Sequence, residues 1–338
     1  MSQQPPKIGV AWGSGAARGW AHVGVLRAFE EWGLAIDVEA GCSVGALVSA
    51  ARRLEVWDAF LAWAQEISPL GALGQFALSF GAGGLIDPAR AFDTFRYADR
   101  PIESLNAPWG AVATDLATGQ EVWLTAGSVL DAARASSSIP MVMQAAPVQF
   151  QGAERWMIDG AAANPVPVSL ARALGADRVI AVDLTRTAVT LKRFARPSTR
   201  AVVPVESPAP GAHGSFLPEP VSSFIRDTQR FLEREMSMAK AKAQSKPHFF
   251  ETAAATIDIV QTHLAAARAQ VDIADVRITP RLDDISPAAF DRHDEIIERG
   301  YIAAVEMKEH ILALYGEGWR DAAGSTRLPA VKGTETET

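Results

Sequence analysis

Ser43 lies in a sequence pattern that can make a serine nucleophilic. The residues Gly41-Cys42-Ser43-Val44-Gly45 have the form G-x-S-x-G, between a short apolar run and an alanine-rich run typical of a helix. A serine at such a strand-to-helix turn takes a strained backbone angle that exposes its hydroxyl, and the glycines let strand and helix approach each other. The helix start directs N–H groups toward the hydroxyl, where negative charge develops in acyl transfer. The plainer alternative is a tight turn in which Ser43 is only an N-cap.

A second chemical feature is the glycine-rich segment Gly13-Ser14-Gly15-Ala16-Ala17-Arg18-Gly19, between a predicted strand and a predicted helix. Backbone N–H groups in such a loop form a cradle for an anion. The anion is either the pyrophosphate of a dinucleotide or the oxyanion of acyl transfer. The dinucleotide pattern needs a glycine where Arg18 stands and an acidic residue ending the second strand, where Asp37 and Glu39 fit poorly. An oxyanion hole beside a serine turn is therefore the favoured interpretation.

A nucleophilic serine needs a base, and Asp159 is the favoured candidate. Asp159-Gly160 ends the second arm of a predicted hairpin. Such a pair is often only a turn, but here it places a carboxylate at a strand end. Five of the six histidines lie in predicted helices or loops without such a position, and His22 is interpreted as a packing residue. We expect a Ser43–Asp159 dyad, with a histidine-containing triad as the alternative.

The elements that must position these residues are predicted strands alternating with predicted helices. This alternation predicts an α/β fold, a three-layer sandwich whose mostly parallel central sheet has helices on both faces. The glycine loop and the serine turn follow consecutive strands. Both are therefore expected at the carboxyl edge of the sheet, where such folds bind ligands.

The chain is expected to form one catalytic domain over residues 1–320. Its predicted parts are a core at 7–184, a proline-rich loop at 185–220 and a helical C-terminal part at 221–317, followed by a disordered tail at 318–338. An apolar, glycine-rich stretch from Ser68 to Leu85 is interpreted as a buried connection, or else as a mobile lid or lipid-facing surface.

Composition excludes several classes of function. Of 338 residues, 48% are hydrophobic and 21% charged, which indicates a globular protein with a large core. The net charge of −7 argues against nucleic-acid binding. The single cysteine, Cys42, excludes an internal disulfide and a cysteine-based metal site. We expect no metal and no cofactor. With no signal-type N-terminus and no apolar run of membrane-spanning length, the expected location is cytoplasmic.

Several segments together resemble the patatin-like phospholipase family, most closely its bacterial stand-alone members related to the neuropathy target esterase catalytic domain. The matching segments, in the family's order, are GSGAARGWAHVGVL (Gly13 to Leu26), GCSVGALVSA (Gly41 to Ala50), ASSSIP (Ala135 to Pro140) and MIDGAAANPVPV (Met157 to Val168). A weaker match is ATDLATG (Ala113 to Gly119). The joint match is far more specific than any one motif.

The resemblance implies a patatin-like fold and a serine acyl hydrolase that cleaves lipid carboxylic esters, phospholipid or lysophospholipid, through an acyl-enzyme. It makes Ser43 the nucleophile and Asp159 its partner. The expected oxyanion hole is formed by Gly13, Gly15, Ala16, Ala17, Arg18 and Gly19. The nucleophile turn is framed by Gly41, Val44 and Gly45.

Four small residues depart from the family's usual pattern. The family often has glycine where this chain has Ser14, Ala16 and Ala161, and threonine where it has Cys42. The small side chains of Ser14, Ala16 and Ala161 are expected to preserve the geometry. Arg18 is expected to brace the loop, with binding of a lipid phosphate as the alternative.

The expected partners are a lipid ester substrate and the inner surface of a membrane, touched peripherally. A nucleic acid is not expected, and a homodimer is one option for the oligomeric state. The alternative functions are a catalytically inactive lipid- or acyl-chain-binding protein of the same fold and a dinucleotide-binding protein.

Overall fold

The computed structural model describes residues 5–66, 93–140, 143–150, 152–185, 249–287 and 289–315. The stretch 68–85, residues 221–248 of the expected helical C-terminal part, the tail at 318–338 and nearly all of the proline-rich loop lie outside these ranges. Residues 1–190 and 255–338 form one compact unit, and residues 191–254 form a second. The sheet and the candidate site lie in the first unit.

The central sheet has eight strands in the described part of the chain. They are β1 (Ile8–Trp12), β2 (Val38–Cys42), β3 (Trp109–Asp115), β4 (Glu121–Leu124), β5 (Ala146–Phe150), β6 (Ala153–Asp159), β7 (Arg178–Val182) and β8 (Val276–Ile278). Strands β3, β2, β1, β7 and β8 lie side by side in this order and are parallel. The pairs β3–β4, β3–β6 and β5–β6 are antiparallel. The sheet is therefore mixed but mostly parallel.

Helices cover both faces of this sheet. They are α1 (Trp20–Glu31), α2 (Val44–Arg53), α3 (Trp57–Glu66), α4 (Val129–Ser136), α5 (Val168–Ala173), α6 (Phe249–Arg268), α7 (His293–Glu306) and α8 (Lys308–Tyr315). Successive side chains of β1 point to opposite faces. Val10 and Trp12 pack in one buried cluster with α1, α2, α4 and α7, whereas Ala11 packs in another with α5 and α6. This arrangement confirms the predicted three layers and the helical C-terminal part.

Two long helices predicted from the sequence are each interrupted. The helical run after Ser43 divides into α2 and α3, because Glu55 takes a left-handed φ of 60° that ends the helical path. The sequence from 286 to 315 predicts one helix, whereas the structure has a 3-10 turn at Phe290–Arg292 followed by α7 and α8, which meet at Met307. The sequence from 86 to 100 also predicts a helix, and the described part of it contains a short 3-10 helix at Asp93–Ala98. No helix in the described ranges is both long and apolar enough to span a membrane.

The C-terminal helix α7 packs directly on α1, the helix that follows the glycine loop. The contact is made through backbone atoms at two glycines. A Cβ added at Gly24 would lie 1.9 Å from the carbonyl oxygen of Ile297, and one added at Gly300 would lie 2.0 Å from that of Ala21. The C-terminal helix α7 is thus packed closely against the part of the fold that carries the glycine loop.

Strand β3 determines where Ser43 and Asp159 meet. Residues 111–112 of β3 pair with both β2 and β4, and residues 113–114 pair with both β4 and β6. Because a strand has only two edges, β4 occupies one edge and β2 and β6 share the other, end to end. Strand β2 ends at Cys42 and β6 ends at Asp159, so the two strand ends that carry the candidate dyad meet at one point.

Candidate active site

Ser43 occupies the sharp turn between β2 and α2. Its backbone angles, φ 54° and ψ −125°, lie in a region that non-glycine residues rarely adopt and that costs on the order of 1–3 kcal/mol. The turn is tight, because a Cβ at Gly41 would lie 2.4 Å from Ala46 Cα and one at Gly45 would lie 2.2 Å from the Trp12 carbonyl oxygen. The Ser43 side chain makes no capping hydrogen bond to α2. This geometry favours a nucleophile elbow over a plain N-cap, although Ser43 is buried and its hydroxyl is not exposed to solvent as the sequence pattern predicts.

The Ser43 hydroxyl instead donates a hydrogen bond to the carboxylate of Asp159. The distance from Ser43 Oγ to Asp159 Oδ2 is 2.6 Å. The other carboxylate oxygen, Oδ1, accepts the N–H of Ala161 at 2.8 Å, which fixes the plane of the carboxyl group. Ser43 and Asp159 are both buried, each at most 4% exposed to solvent. The serine therefore has a correctly placed proton acceptor in a water-poor environment.

Burial tunes the acidity of this pair. Loss of hydration raises the pKa of Asp159 to about 6, although the hydrogen bonds from Ser43 and Ala161 act in the opposite direction. A carboxylate with a pKa near 6 accepts a proton more readily than a free aspartate and is still largely ionised at neutral pH.

Burial, reinforced by the charge of Asp159, raises the pKa of the neighbouring Cys42 thiol well above its ordinary value, which keeps that thiol unreactive.

The C-terminal end of α4 holds both members of the pair. The backbone N–H of Ser43 donates to Ser136 Oγ at 2.9 Å, and the N–H of Asp159 donates to the carbonyl oxygen of Ser138 at 2.9 Å. On β3, Thr114 Oγ1 donates to the Asp159 carbonyl at 3.0 Å. From the sequence alone, the three serines at 136–138 are interpreted as a helix end or a pocket wall, and this interpretation misses the bond from Ser43 to Ser136 that supports the elbow. The available signal was the serine cluster within ASSSIP.

The glycine loop is anchored through most of its N–H groups. Those of Gly13 and Ser14 donate to the carbonyl oxygens of Val182 and Pro165, at 3.0 and 2.9 Å. Those of Ala17 and Arg18 donate to Pro287 and Gly15, at 2.9 and 3.1 Å. The two N–H groups between these anchors, on Gly15 and Ala16, have no acceptor among the residues that the structure describes.

This pattern refines the expected oxyanion hole. Gly13, Ala17 and Arg18 use their N–H groups to hold the loop, and Gly15 and Ala16 offer theirs. Gly19 lies against the start of α2, since a Cβ there would be 2.1 Å from a methyl group of Val44. A dinucleotide pyrophosphate would find the first two N–H groups of its cradle, those of Gly13 and Ser14, already bonded.

Arg18 is engaged in bracing the loop. Its side chain is 1% exposed, and Nη1 and Nη2 donate to Asp258 Oδ1 and Oδ2 at 3.0 and 3.2 Å. Its Nε donates to the carbonyl oxygen of Ile285 at 3.0 Å. Asp258 lies on α6, and sequence reasoning did not identify it, because nothing local to residue 258 indicates a partner 240 residues away.

His22 also supports the loop and does not contact the dyad. Its Nε2 lies 2.8 Å from the Gly13 carbonyl oxygen, which can only accept, so Nε2 carries the proton. Burial lowers the pKa of His22 to about 4, and the ring is therefore neutral. The described residues thus pair Ser43 with an aspartate and with no histidine. In the same part of the chain, no group of three or more metal-ligating side chains could hold a metal ion.

Comparisons with known proteins place this sequence among relatives of one family. Residues 10–172 match the family model of the patatin-like phospholipases. An uncharacterized NTE family protein of Mycobacterium tuberculosis is 36% identical over 198 residues, which cover 58% of this chain and 54% of that protein. Lysophospholipase NTE1 of Pyricularia oryzae is 25% identical over 339 residues, covering 98% of this chain and 19% of that protein. The chain spans about half the length of the first of these relatives and less of the second.

Among solved structures, VipD from Legionella pneumophila aligns with 91% of this chain and 67% of its own, at 11% identity. The TM-score of 0.39 is too low to carry an inference.

Replacing Asp159 by asparagine is expected to stabilise the folded protein at high pH. The pKa of Asp159 in the fold, about 6, is above its ordinary value of 3.8, so the folded state binds this proton more tightly than the unfolded chain. The stability linked to the group is therefore present below pH 3.8 and lost as the pH rises through about 6. Asp159→Asn should gain about 1–3 kcal/mol over wild type at pH 8 and roughly half as much at pH 5.

Urea unfolding at the two pH values measures this difference. Asp291→Asn, at an exposed position, controls for the loss of one carboxylate. An Asp159→Asn protein that is less stable than wild type at pH 8 would show that burying the ionised Asp159 carboxylate does not destabilise the fold.

Removing the Ser136 hydroxyl is expected to loosen the elbow. Ser136→Ala leaves the buried N–H of Ser43 without its acceptor, which costs about 1–3 kcal/mol of unfolding free energy. Misplacement of Ser43 should slow its reaction with a fluorophosphonate by roughly tenfold or more. Ser137→Ala is the matched control, because the Ser137 hydroxyl only donates to the Ala133 carbonyl within the helix, at 2.8 Å. Equal reaction rates in the two variants would contradict the assignment.

Proposed function

This chain belongs to the patatin-like phospholipase family, and we propose that it is a serine acyl hydrolase acting on the carboxylic esters of lipids. The single observation that carries the proposal is the 2.6 Å hydrogen bond from Ser43 to Asp159 at a strained, buried turn. Of its relatives, Lysophospholipase NTE1 has a name that states such an activity. This likeness favours a phospholipid or lysophospholipid as the substrate.

In the first half-reaction, Ser43 Oγ attacks the ester carbonyl carbon while Asp159 takes the hydroxyl proton. The carbonyl oxygen becomes an oxyanion, and the N–H groups of Gly15 and Ala16, with that of Val44 at the start of α2, bind it. Each such donor contributes on the order of 10²–10³ to the rate in serine hydrolases. The tetrahedral intermediate collapses, the leaving alcohol receives the proton from Asp159, and the acyl group remains on Ser43.

In the second half-reaction, water cleaves the acyl-enzyme. Asp159 accepts a proton from the attacking water, and the same N–H groups bind the second oxyanion. When this intermediate collapses, Ser43 Oγ leaves and regains the proton from Asp159, and the fatty acid is released. A carboxylate with a pKa of about 6 suits both roles, because it is ionised before attack and gives up its proton readily afterwards.

The substrate class has consequences for location. A lipid ester resides in a membrane or a micelle, so the enzyme must contact such a surface at least transiently. We therefore keep peripheral contact with the inner membrane surface, from a cytoplasmic location, as part of the proposal. A homodimer stays an option on which the proposed chemistry does not depend.

Intact mass after incubation with a fluorophosphonate tests the proposal. Wild type should gain one adduct, and Ser43→Ala should gain none and should lose hydrolysis of a lysophospholipid, because its nucleophile is absent. Ser137→Ala, which alters a buried serine outside the dyad, should label like wild type.

A full adduct on folded Ser43→Ala would move the nucleophile elsewhere. A wild-type protein that binds lysophospholipid but neither labels nor turns over would support the inactive lipid-binding alternative. Circular dichroism of each variant establishes that it is folded.

A further inference from the structure

We propose that Asp258 on α6 is a positioning residue of the active site. Through Arg18 it holds the N–H groups of Gly15 and Ala16 in the orientation that binds the oxyanion. The inference rests on the proposed function, since it assigns a role within the same site. Asp258 lies outside the segment 10–172 that matches the family model, so the proposal extends the active site into the C-terminal part of the chain.

The loop that carries the two N–H donors, on Gly15 and Ala16, needs support from the surrounding structure. Ala16 takes a φ of 50°, in the left-handed region that an alanine adopts only at a cost in free energy. Such a conformation persists only where the surrounding structure holds it. The question is therefore which contacts fix the loop on either side of Gly15 and Ala16.

The two sides of the loop are fixed by different parts of the chain. On the N-terminal side, Gly13 and Ser14 donate to carbonyl oxygens within residues 165–182, inside the catalytic core. On the C-terminal side, the contacts come from residues 258–287. The Ala17 N–H donates to the Pro287 carbonyl, and the Arg18 side chain reaches the Ile285 carbonyl and the Asp258 carboxylate. The strained segment is thus held between the core and the C-terminal part.

The pair between Arg18 and Asp258 is the charged part of this support. The Arg18 side chain is 1% exposed and that of Asp258 is 10% exposed, so the buried guanidinium depends on Asp258 for compensation of its charge. A buried guanidinium that loses its partner is strongly unfavourable and moves toward water if the structure permits. Because Arg18 is only two residues from Ala16, such a movement would displace the N–H groups of the oxyanion hole.

Helix α6 provides a fixed attachment point for this contact. Ala265 is buried in the core cluster that lies against α5 and the sheet. At the C-terminal end of α6, Arg268 forms ion pairs with Glu121 of β4 and with Asp272, at 3.0 and 2.8 Å. The position of Asp258 is therefore set independently of Arg18, which allows it to position the loop.

The test compares steady-state kinetics of p-nitrophenyl butyrate hydrolysis by the full chain. Asp258→Asn keeps the shape of the side chain and removes its charge. Its kcat is expected to fall about tenfold to a hundredfold while KM changes less than about threefold, because an oxyanion hole acts in the transition state and not on the bound ester. The conservative Asp258→Glu should recover most of the lost kcat, since it restores the charge facing Arg18.

A double variant separates positioning from stability. In Arg18→Met/Asp258→Met both charges of the pair are gone, so Arg18 is not left buried without its carboxylate and the thermal midpoint should rise above that of Asp258→Asn. Its kcat should stay low, because the loop has lost its brace. Recovery of wild-type kcat in this double variant would overturn the proposal, as would a wild-type kcat in Asp258→Asn.

Asp275→Asn is the matched control. Asp275 also joins the C-terminal part to the core, through ion pairs with Arg172 and Arg178. It precedes β8 and so lies at the amino ends of the parallel strands, whereas Ser43 lies at their carboxyl ends. This variant should lose stability and keep the wild-type kcat.

The fluorophosphonate adduct on wild-type Ser43 distinguishes failure of the proposed function from failure of the positioning role alone. A wild type that neither labels nor hydrolyses overturns the proposed function, whereas an active Asp258→Asn overturns only the positioning role.

Discussion

The site depends on one constraint of sheet geometry, which is that β2 and β6 share one edge of β3 and end against each other. Strand β2 pairs with β3 in parallel and β6 pairs with it antiparallel, which brings together Ser43 and Asp159, 116 residues apart in sequence. The last residue of β6 is Asp159, and the residue after β2 is Ser43. A slip of either strand by one residue would turn its side chains to the other face and separate the pair. The hydrogen bond between them is thus a product of strand register.

Burial then gives this contact its chemical character. The same loss of hydration that raises the pKa of Asp159 costs stability, and the protein offsets that cost with hydrogen bonds from Ser43 and Ala161. The strained angles at Ser43 and Ala16 are also held by their surroundings, through Ser136 and through the C-terminal part of the chain. Strain and desolvation are concentrated where the reaction would occur, as is usual where a site must be preorganised.

Sequence reasoning could predict what is local. Alternating strands and helices gave the three layers, and two short motifs indicated Ser43 and Asp159, whose roles stay predictions. It could not find Ser136 or Asp258, because their contacts join residues 93 and 240 positions apart and no local pattern indicates the partner. The break at Glu55 was missed for a related reason, since an apolar run indicates helical periodicity but not the packing that interrupts it. The proposed lid at 68–85 lies outside the described residues.

The measurement that tests the central claim most directly is the pH dependence of the second-order rate of Ser43 modification by a fluorophosphonate, in wild type and in Asp159→Asn. If Asp159 is the base, the wild-type rate is constant above pH 7 and falls about tenfold per pH unit below its pKa of about 6. The Asp159→Asn rate should be low and independent of pH over the same range. A wild-type rate with no inflection near pH 6, or an Asp159→Asn protein that retains the inflection, would show that another group accepts the proton of Ser43.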